Sequence, residues 1–491
     1  MIDGLATGST EALAGLVSAL SDIDGVGADE TRIDQLALLE RVKAAAAAAQ
    51  VRVTAAFVES QSDVAAQCRE RARRCSAAGD FDAWRAAREE ARAASLPEAA
   101  TTDGPTQRSR RRRPSPATGV AAQVALARHE SPVRGAQHVG LALALTREMP
   151  HTLAALEAGE LSEARALIVV RETAGLGSEQ RSAVDAEVVA GAHAGEGVGA
   201  LGDKELARRV RAVAYRIDAE AVMARAARAE ADRRVTIRPD PDTMAYVTAL
   251  LPVAQAVAVH ASLTAAADSA RAAGDERGKG QVMADALVTR VTGQERADAV
   301  PVEVQLVITD RSLLAGDDCP AQLLGYGSVP AQWARSLLGG TVDTVPEAAA
   351  WLRRLYTHPS TGALVAMDST RRTFDGGLRR YLLTRDAATC RTPWCDAPVR
   401  HVDHIRDHAD GGPTTAENGQ GLCVRCNLTK QLPGFRARSL SPRRPGAPHA
   451  VETVTPTGHR YRSTAPPLLP GHRPDRARSD VEAWFEQALA S

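Results

Sequence analysis

Two cysteine pairs, close together late in the sequence, constrain this chain more than any other feature. Cys390 and Cys395 form a C-x4-C pair, Cys423 and Cys426 a C-x2-C pair, and only residues 396–422 lie between them. Each short loop offers two sulfurs to one ion, which is what a tetrahedral all-thiolate zinc clamp needs. Such a clamp contributes on the order of 10 kcal/mol to folding a segment too short for its own hydrophobic core. With four protein ligands the zinc is structural, because no position stays open for a substrate. Cys68, Cys75 and Cys319 stand far from this window and read as free thiols, the first two seven apart on a helical stretch.

Composition bounds the rest. A chain of 491 residues is too long for one ordinary core, so two or more domains are expected. It is rich in alanine and only 3% aromatic, which favours helices packed through small side chains over a sandwich filled with aromatics. The formal net charge of zero excludes a global basic field, so any attraction to nucleic acid must come from local patches. The N-terminus, Met1-Ile2-Asp3-Gly4, lacks the basic and apolar regions of a signal peptide. The longest apolar candidate, residues 250–267, is broken by Pro252, Gln255 and His260, so no membrane span is expected. A soluble cytoplasmic protein follows, in a reducing compartment that leaves thiols available for metal.

Periodicity divides the chain. Residues 9–96 read as helical, with a break at Gly79-Asp80. Residues 101–118 read as a linker, rich in Pro, Ser and Thr and carrying a solvated arginine run, Arg108 and Arg110 to Arg113. A second helical block covers 119–231, punctuated by Pro150 and with a helix start at Ser162. Alternation at Arg234-Val235-Thr236-Ile237-Arg238 predicts a strand, followed by a turn at Pro239 to Asp242 and a long helix over 243–273. Another helix is expected over 280–292. The clearest strand is 302–308, expected to pair with the one at Val235. Residues 364–367 suit a short strand and 378–384 a helix. Beyond Phe435, segments 451–454 and 459–462 flank Pro456-Thr457-Gly458 as hairpin arms would. Val481, Trp484, Phe485, Ala488 and Leu489 form one helical stripe suited to docking on the protein's own core. The domain plan is therefore 1–100 helical, 101–118 linker, 119–371 mainly helical with a small sheet, 372–436 a cysteine-bearing module, and 437–491 a tail ending in a helix.

The residues enclosed by the cysteines carry the chemistry. Cutting a phosphodiester needs a base to take a proton from water and a hard cation to neutralise charge on the leaving oxygen. His404 suits the base, since its unperturbed pKa lies near neutrality. Asp403 offers an anionic oxygen beside it. Adjacent strand residues point to opposite faces, so the two converge only if the strand bends or ends there. Asn427 offers an amide oxygen at the start of the next helix. Lys430, three residues on, reads as a phosphate contact or as a solvated lysine. His401 and His408, taken singly, read as packed or surface side chains.

Asp403-His404, Gly411-Gly412-Pro413-Thr414, Asn418 and Cys423-x2-Cys426-Asn427-x2-Lys430 together resemble the HNH nuclease motif in its zinc-bearing form. The resemblance covers residues 381–435. It implies a two-stranded hairpin and a helix around one catalytic metal, the ββα-metal arrangement. It also implies His404 as general base, Asp403 as metal ligand and Asn418 as a brace that orients the base through backbone hydrogen bonds. Asn427 occupies the third position, where the name-giving His would stand; an amide oxygen there favours an oxygen-preferring ion such as Mg²⁺. The segments Val235 to Pro239 and Gln281 to Asp285 look like DUF222, a domain of unknown function found before HNH modules in actinobacterial proteins of the 13E12 repeat family. That likeness would cover residues 131–371.

The expected fold is mainly α with a small α+β part, a large helical N-terminal domain preceding a zinc-stabilised ββα-metal module. The expected function is a metal-dependent endonuclease hydrolysing phosphodiester bonds of DNA, with structural Zn²⁺ and catalytic Mg²⁺ or another divalent cation. No small-molecule cofactor is expected. Arg379, Arg380, Arg436 and Arg438, with Lys430, are expected at the DNA backbone, a contact that weakens steeply with salt. Two rivals stand beside it. One is a non-catalytic zinc-stabilised nucleic-acid-binding protein with a decayed site; the other is an interaction scaffold working through the helical block.

Overall fold

The computed structural model describes residues 3–94, 117–190, 198–294, 306–309, 312–313, 316–344, 374, 376–440 and 448–468. The fold is mainly α, with small antiparallel sheets. Alanine, the residue that forms helix at least cost, supplies much of the N-terminal third. That sequence forms α1 (Asp3–Ser21), α2 (Asp29–Ala77) and α3 (Phe81–Ala94), broken at Gly79-Asp80 as expected. Then come α4 (Ala117–Ala127), α5 (Pro132–Arg147), α6 (Pro150–Ala158), α7 (Glu163–Glu172), α8 (Ser178–Asp185), α9 (Asp203–Ile217) and α10 (Ala219–Ala229). Among the described residues, no helix is long and apolar enough to cross a membrane.

The chain forms two compact units. One combines Met1–Phe57 with His138–Arg225. Its apolar cluster joins Ala44, Ala48, Val51 and Ala55 of α2 with Leu145, Leu156, Val169 and Leu206. The α2 members recur at helical spacing, and their small side chains let neighbouring helices approach closely. The buried carboxylate of Asp185 accepts from the amides of His151 (2.8 Å) and Thr152 (2.9 Å). It thereby caps α6, whose first residue, Pro150, has no N–H to satisfy. Gly159 ends that helix in the left-handed region (φ 79°), and a Cβ there would lie 2.7 Å from the Arg41 side chain. Both conditions call for glycine.

The other unit combines Val58–Gln137 with Ala226–Ser491. The strand expected at Val235 is present as β1 (Arg234–Asp240), but the helix expected from residue 243 is not. Residues there form a second strand, β2 (Met244–Leu250), paired antiparallel with β1. Asp242 and Thr243 turn the chain with positive φ (61° and 60°), and the aromatic and β-branched run Tyr246-Val247-Thr248 fits a pleat better than a helix. Helix α11 (Val253–Ala272) starts only after Pro252, and α12 (Lys279–Thr292) follows as expected. The described part of the 302–308 strand is β3 (Leu306–Val307), and it does not pair with β1. It pairs with β4 (Ala321–Leu323), which pairs with β5 (Gly327–Val329). A local hairpin closes at less entropic cost than a pairing across two intervening helices, so β1 takes β2. Helix α13 (Ala331–Thr344) packs on this meander through Ala334 and Trp333. The arginine run, the expected strand at 364–367 and the stripe at 481–489 lie outside the described residues.

The C-terminal end contains α14 (Gly376–Arg385), β6 (His401–His404), β7 (Gly419–Leu422), α15 (Val424–Lys430), β8 (Arg436–Ser439), β9 (Ala450–Val454) and β10 (Arg460–Thr464). Strands β6 and β7 form an antiparallel hairpin and α15 follows directly, giving a ββα order. The hairpin expected around Pro456 is formed by β9 and β10, and β8 adds a third strand. Helix α4, buried on most of its surface, supports this end of the molecule. Arg425 donates to the Pro132 carbonyl (3.0 Å), Thr457 donates to Gln123 (2.9 Å), and the His129 ring stacks on Trp394 with centroids 4.2 Å apart.

Candidate active site and metal centre

The two cysteine loops come together. Cys390, Cys395, Cys423 and Cys426 are buried, and their sulfurs all lie within 4.8 Å of one another. Cys423 is the N-cap of α15, its Sγ accepting the Cys426 amide at 3.4 Å. Hydrogen bonds from Cys390, Cys395 and Cys426 hold the Cys423 thiol far below its ordinary range, whereas bonding to Cys390, Cys395 and Cys423 pushes Cys426 far above it. Thiols that share protons in this way offer a metal ion four converging sulfurs.

A buried strap that the sequence reading missed ties this centre to the hairpin. Arg385, at the end of α14, donates to the carbonyls of Ala416 (2.6 Å) and Gly419 (2.9 Å) and to both carboxylate oxygens of Asp386 (2.8 and 3.0 Å). Asp386 in turn accepts the Gly421 amide at 2.8 Å. Arg391, beside Cys390, reaches the carbonyls of His449 (3.2 Å) and Ser463 (3.0 Å), and burial lowers its pKa. The only sequence signal was a charged pair just before Cys390.

His404 ends β6 and is buried, with its Nε2 2.9 Å from Thr414 Oγ1 and the Phe374 ring 4.5 Å away. Burial lowers its pKa, opposed by the nearby Asp403 carboxylate, so the ring is neutral near pH 7. Asn418 braces the loop that follows. Its Oδ1 accepts the Arg406 amide (2.9 Å), its Nδ2 donates to the carbonyls of Arg406 (3.0 Å) and Pro413 (2.8 Å), and its own carbonyl accepts from Ile405 (2.7 Å).

One face of β6 carries His401 and Asp403, because strand residues two apart share a face. One face of α15 carries Asn427 and Lys430, because helix residues three apart do likewise. The two faces meet as two pairs. Asn427 Nδ2 donates to His401 Nδ1 at 2.9 Å, and the Lys430 ammonium lies 2.9 Å from Asp403 Oδ2. Lys430 also donates to Asp407 Oδ1 and to the His404 carbonyl, both at 2.5 Å, which occupies all three of its protons. Lys430, expected at a phosphate, therefore directs its charge inward. Arg379 is half-buried, Arg380 and Arg436 are exposed, and Arg438 pairs with Glu452 at 2.6 Å.

Asn427 Oδ1 is buried and has no hydrogen-bond partner among the described residues. Buried acceptors are almost always satisfied, so this oxygen is open to a hydrogen-bond donor or a cation. Asp403 adds an anionic oxygen on the facing strand. Oxygen donors of these two kinds are the chemistry that hard divalent ions prefer.

The family model of DUF222, a domain of unknown function, matches residues 84–386, and that of the HNH endonuclease matches residues 390–431. No curated protein and no solved structure matches the chain.

Proposed function

The chain belongs to the DUF222 family and carries an HNH endonuclease module over residues 390–431, and from that premise we propose that it hydrolyses phosphodiester bonds of DNA. The observation that supports this most is the buried, unpartnered Oδ1 of Asn427 on the helix facing Asp403. Asp403 and Asn427 would hold a divalent ion, Mg²⁺ or a similar hard cation, which when bound supplies positive charge to the phosphate. Cys390, Cys395, Cys423 and Cys426 would hold structural Zn²⁺. His404 acts as the base. In the tautomer whose Nε2–H donates to Thr414 Oγ1, Nδ1 carries the lone pair that would take a proton from the attacking water. Asn418 fixes the loop after His404 and so the position of the ring. Arg379, Arg380 and Arg436 would contact the DNA backbone, so binding should fall steeply with salt.

A second reading has its own observation. The Lys430 ammonium already neutralises Asp403, as it would in a module that binds nucleic acid without cutting it. Incubation of purified protein with supercoiled plasmid in Mg²⁺, Mn²⁺ or chelator separates the two. Catalysis predicts nicking that needs a divalent ion and disappears in His404→Ala while zinc content and DNA affinity persist. Failure of the unmutated protein to nick under every condition would leave the binding reading.

A further inference from the structure

We infer that His401 is a positioning residue, which holds the Asn427 amide with its oxygen, rather than its NH₂ group, turned to the divalent ion. The inference rests on the proposed metal role of Asn427. An amide nitrogen can only donate, so the 2.9 Å contact between Asn427 Nδ2 and His401 Nδ1 requires a lone pair on Nδ1 and the ring proton on Nε2. In this arrangement the nitrogen faces the imidazole and Oδ1 is left buried without a partner, and the Nε2–H tautomer of His401 is the one that sustains it. Were the amide turned over, NH₂ would occupy the buried position and repel a cation. An Asn lacking this bond has no such preference, because its two ends are nearly equal in size.

The surroundings give the contact its leverage. The Lys430 ammonium, 2.9 Å from Asp403 Oδ2, holds that carboxylate in one orientation on the same pair of faces, and a divalent ion there has to share it with the lysine. Cys423 and Cys426 anchor the first turn of α15 in the sulfur cluster, so Asn427 cannot reach a new partner by moving the helix. Rotation about the side-chain bonds remains, and the contact with His401 restricts it. Ligand-orienting hydrogen bonds of this kind typically change metal affinity by roughly 10–100-fold when removed.

The test uses the full-length, zinc-loaded protein and measures Mn²⁺ binding by calorimetry, with zinc content and circular dichroism as controls. His401→Phe keeps a ring of similar shape but offers no acceptor, and should weaken Mn²⁺ binding by roughly 10-fold or more. His401→Asn, whose Oδ1 takes the place of Nδ1, should recover most of the affinity. Asn427→Ala should abolish binding. Unchanged Mn²⁺ affinity in His401→Phe, with Asn427→Ala still defective, overturns the role of His401 alone. Unmutated protein that takes up no Mn²⁺ beyond its zinc overturns the metal site itself, and the positioning role with it. If His401→Phe loses zinc or helix content, the comparison passes to His401→Asn, and a failure of that variant to bind Mn²⁺ while properly folded counts against the inference.

Discussion

Gly412 shows how little room the loop after His404 leaves. A Cβ there would lie 1.9 Å from the Arg406 carbonyl oxygen and 2.8 Å from Asn418 Nδ2, which itself donates to that oxygen. Backbone cannot yield as the end of a flexible side chain would. Gly412→Ala should therefore break the Asn418 brace and destabilise the module by at least about 1–3 kcal/mol, the usual range for overpacking. Denaturant unfolding checks this, and an unchanged midpoint would show that the loop accommodates the methyl group. The same residues mark what sequence can reveal. The four cysteines, Asp403, His404 and Asn427 are legible as residue types suited to metal and base chemistry at short spacing, and Asn418 only through the likeness to the HNH motif. His401 and Lys430 are legible only as residues. Their pairing with Asn427 and Asp403 arises where a strand face meets a helix face, and neither period alone records which residues will face each other.

The elements around the site depend on the Arg385–Asp386 strap, which joins the end of α14 to both sides of β7. Asp386 is almost wholly buried, and its charge is balanced by Arg385, with Arg391 3.7 Å away. Removing one member of such a group leaves uncompensated charge in a dry setting, at a cost of about 3–5 kcal/mol. Asp386→Ala should lower the unfolding midpoint of the module accordingly, while Asp386→Asn, which keeps an acceptor for the Gly421 amide, should cost less. Equal midpoints for both variants and the parent would mean the strap carries no net stability. The charged pair is visible in the sequence but not its burial, since such a pair at a helix end ordinarily lies in solvent. Sequence also misplaced β2, because Met244 to Leu250 is apolar enough to extend the periodicity of α11. The positive φ at Asp242 and Thr243, which redirects the chain into a hairpin, is a property of the turn that these residue types permit but do not demand.

At the scale of the molecule, hydrophobic burial and an ion held by the four sulfurs would stabilise different parts of the chain. The apolar cluster of the first unit draws on residues 44–55 and 141–214, none of them a member of the sulfur cluster. The hairpin and α15 are short, and the cysteines make up most of their own buried cluster, with Leu422 and Ala397 beside them. Four metal–thiolate bonds there would contribute on the order of 10 kcal/mol, comparable with the whole stability of an ordinary domain. Stripping the metal with a chelator should therefore melt the C-terminal module and leave the helical unit folded. Hydrogen exchange resolves the two. Amides of β6, β7 and α15 should lose protection, while those of α7 and α9, which carry Val169 and Leu206, keep theirs. Loss of protection in all of these helices at once would show that the sulfur cluster supports the entire chain, and the division of labour argued from burial would fall. The two-stretch composition of each unit, which divides α2 between Phe57 and Val58, is invisible to any reading that takes residues in order. It follows from contacts among distant segments, and those contacts are set by packing of alanine-rich faces that resemble one another along the chain.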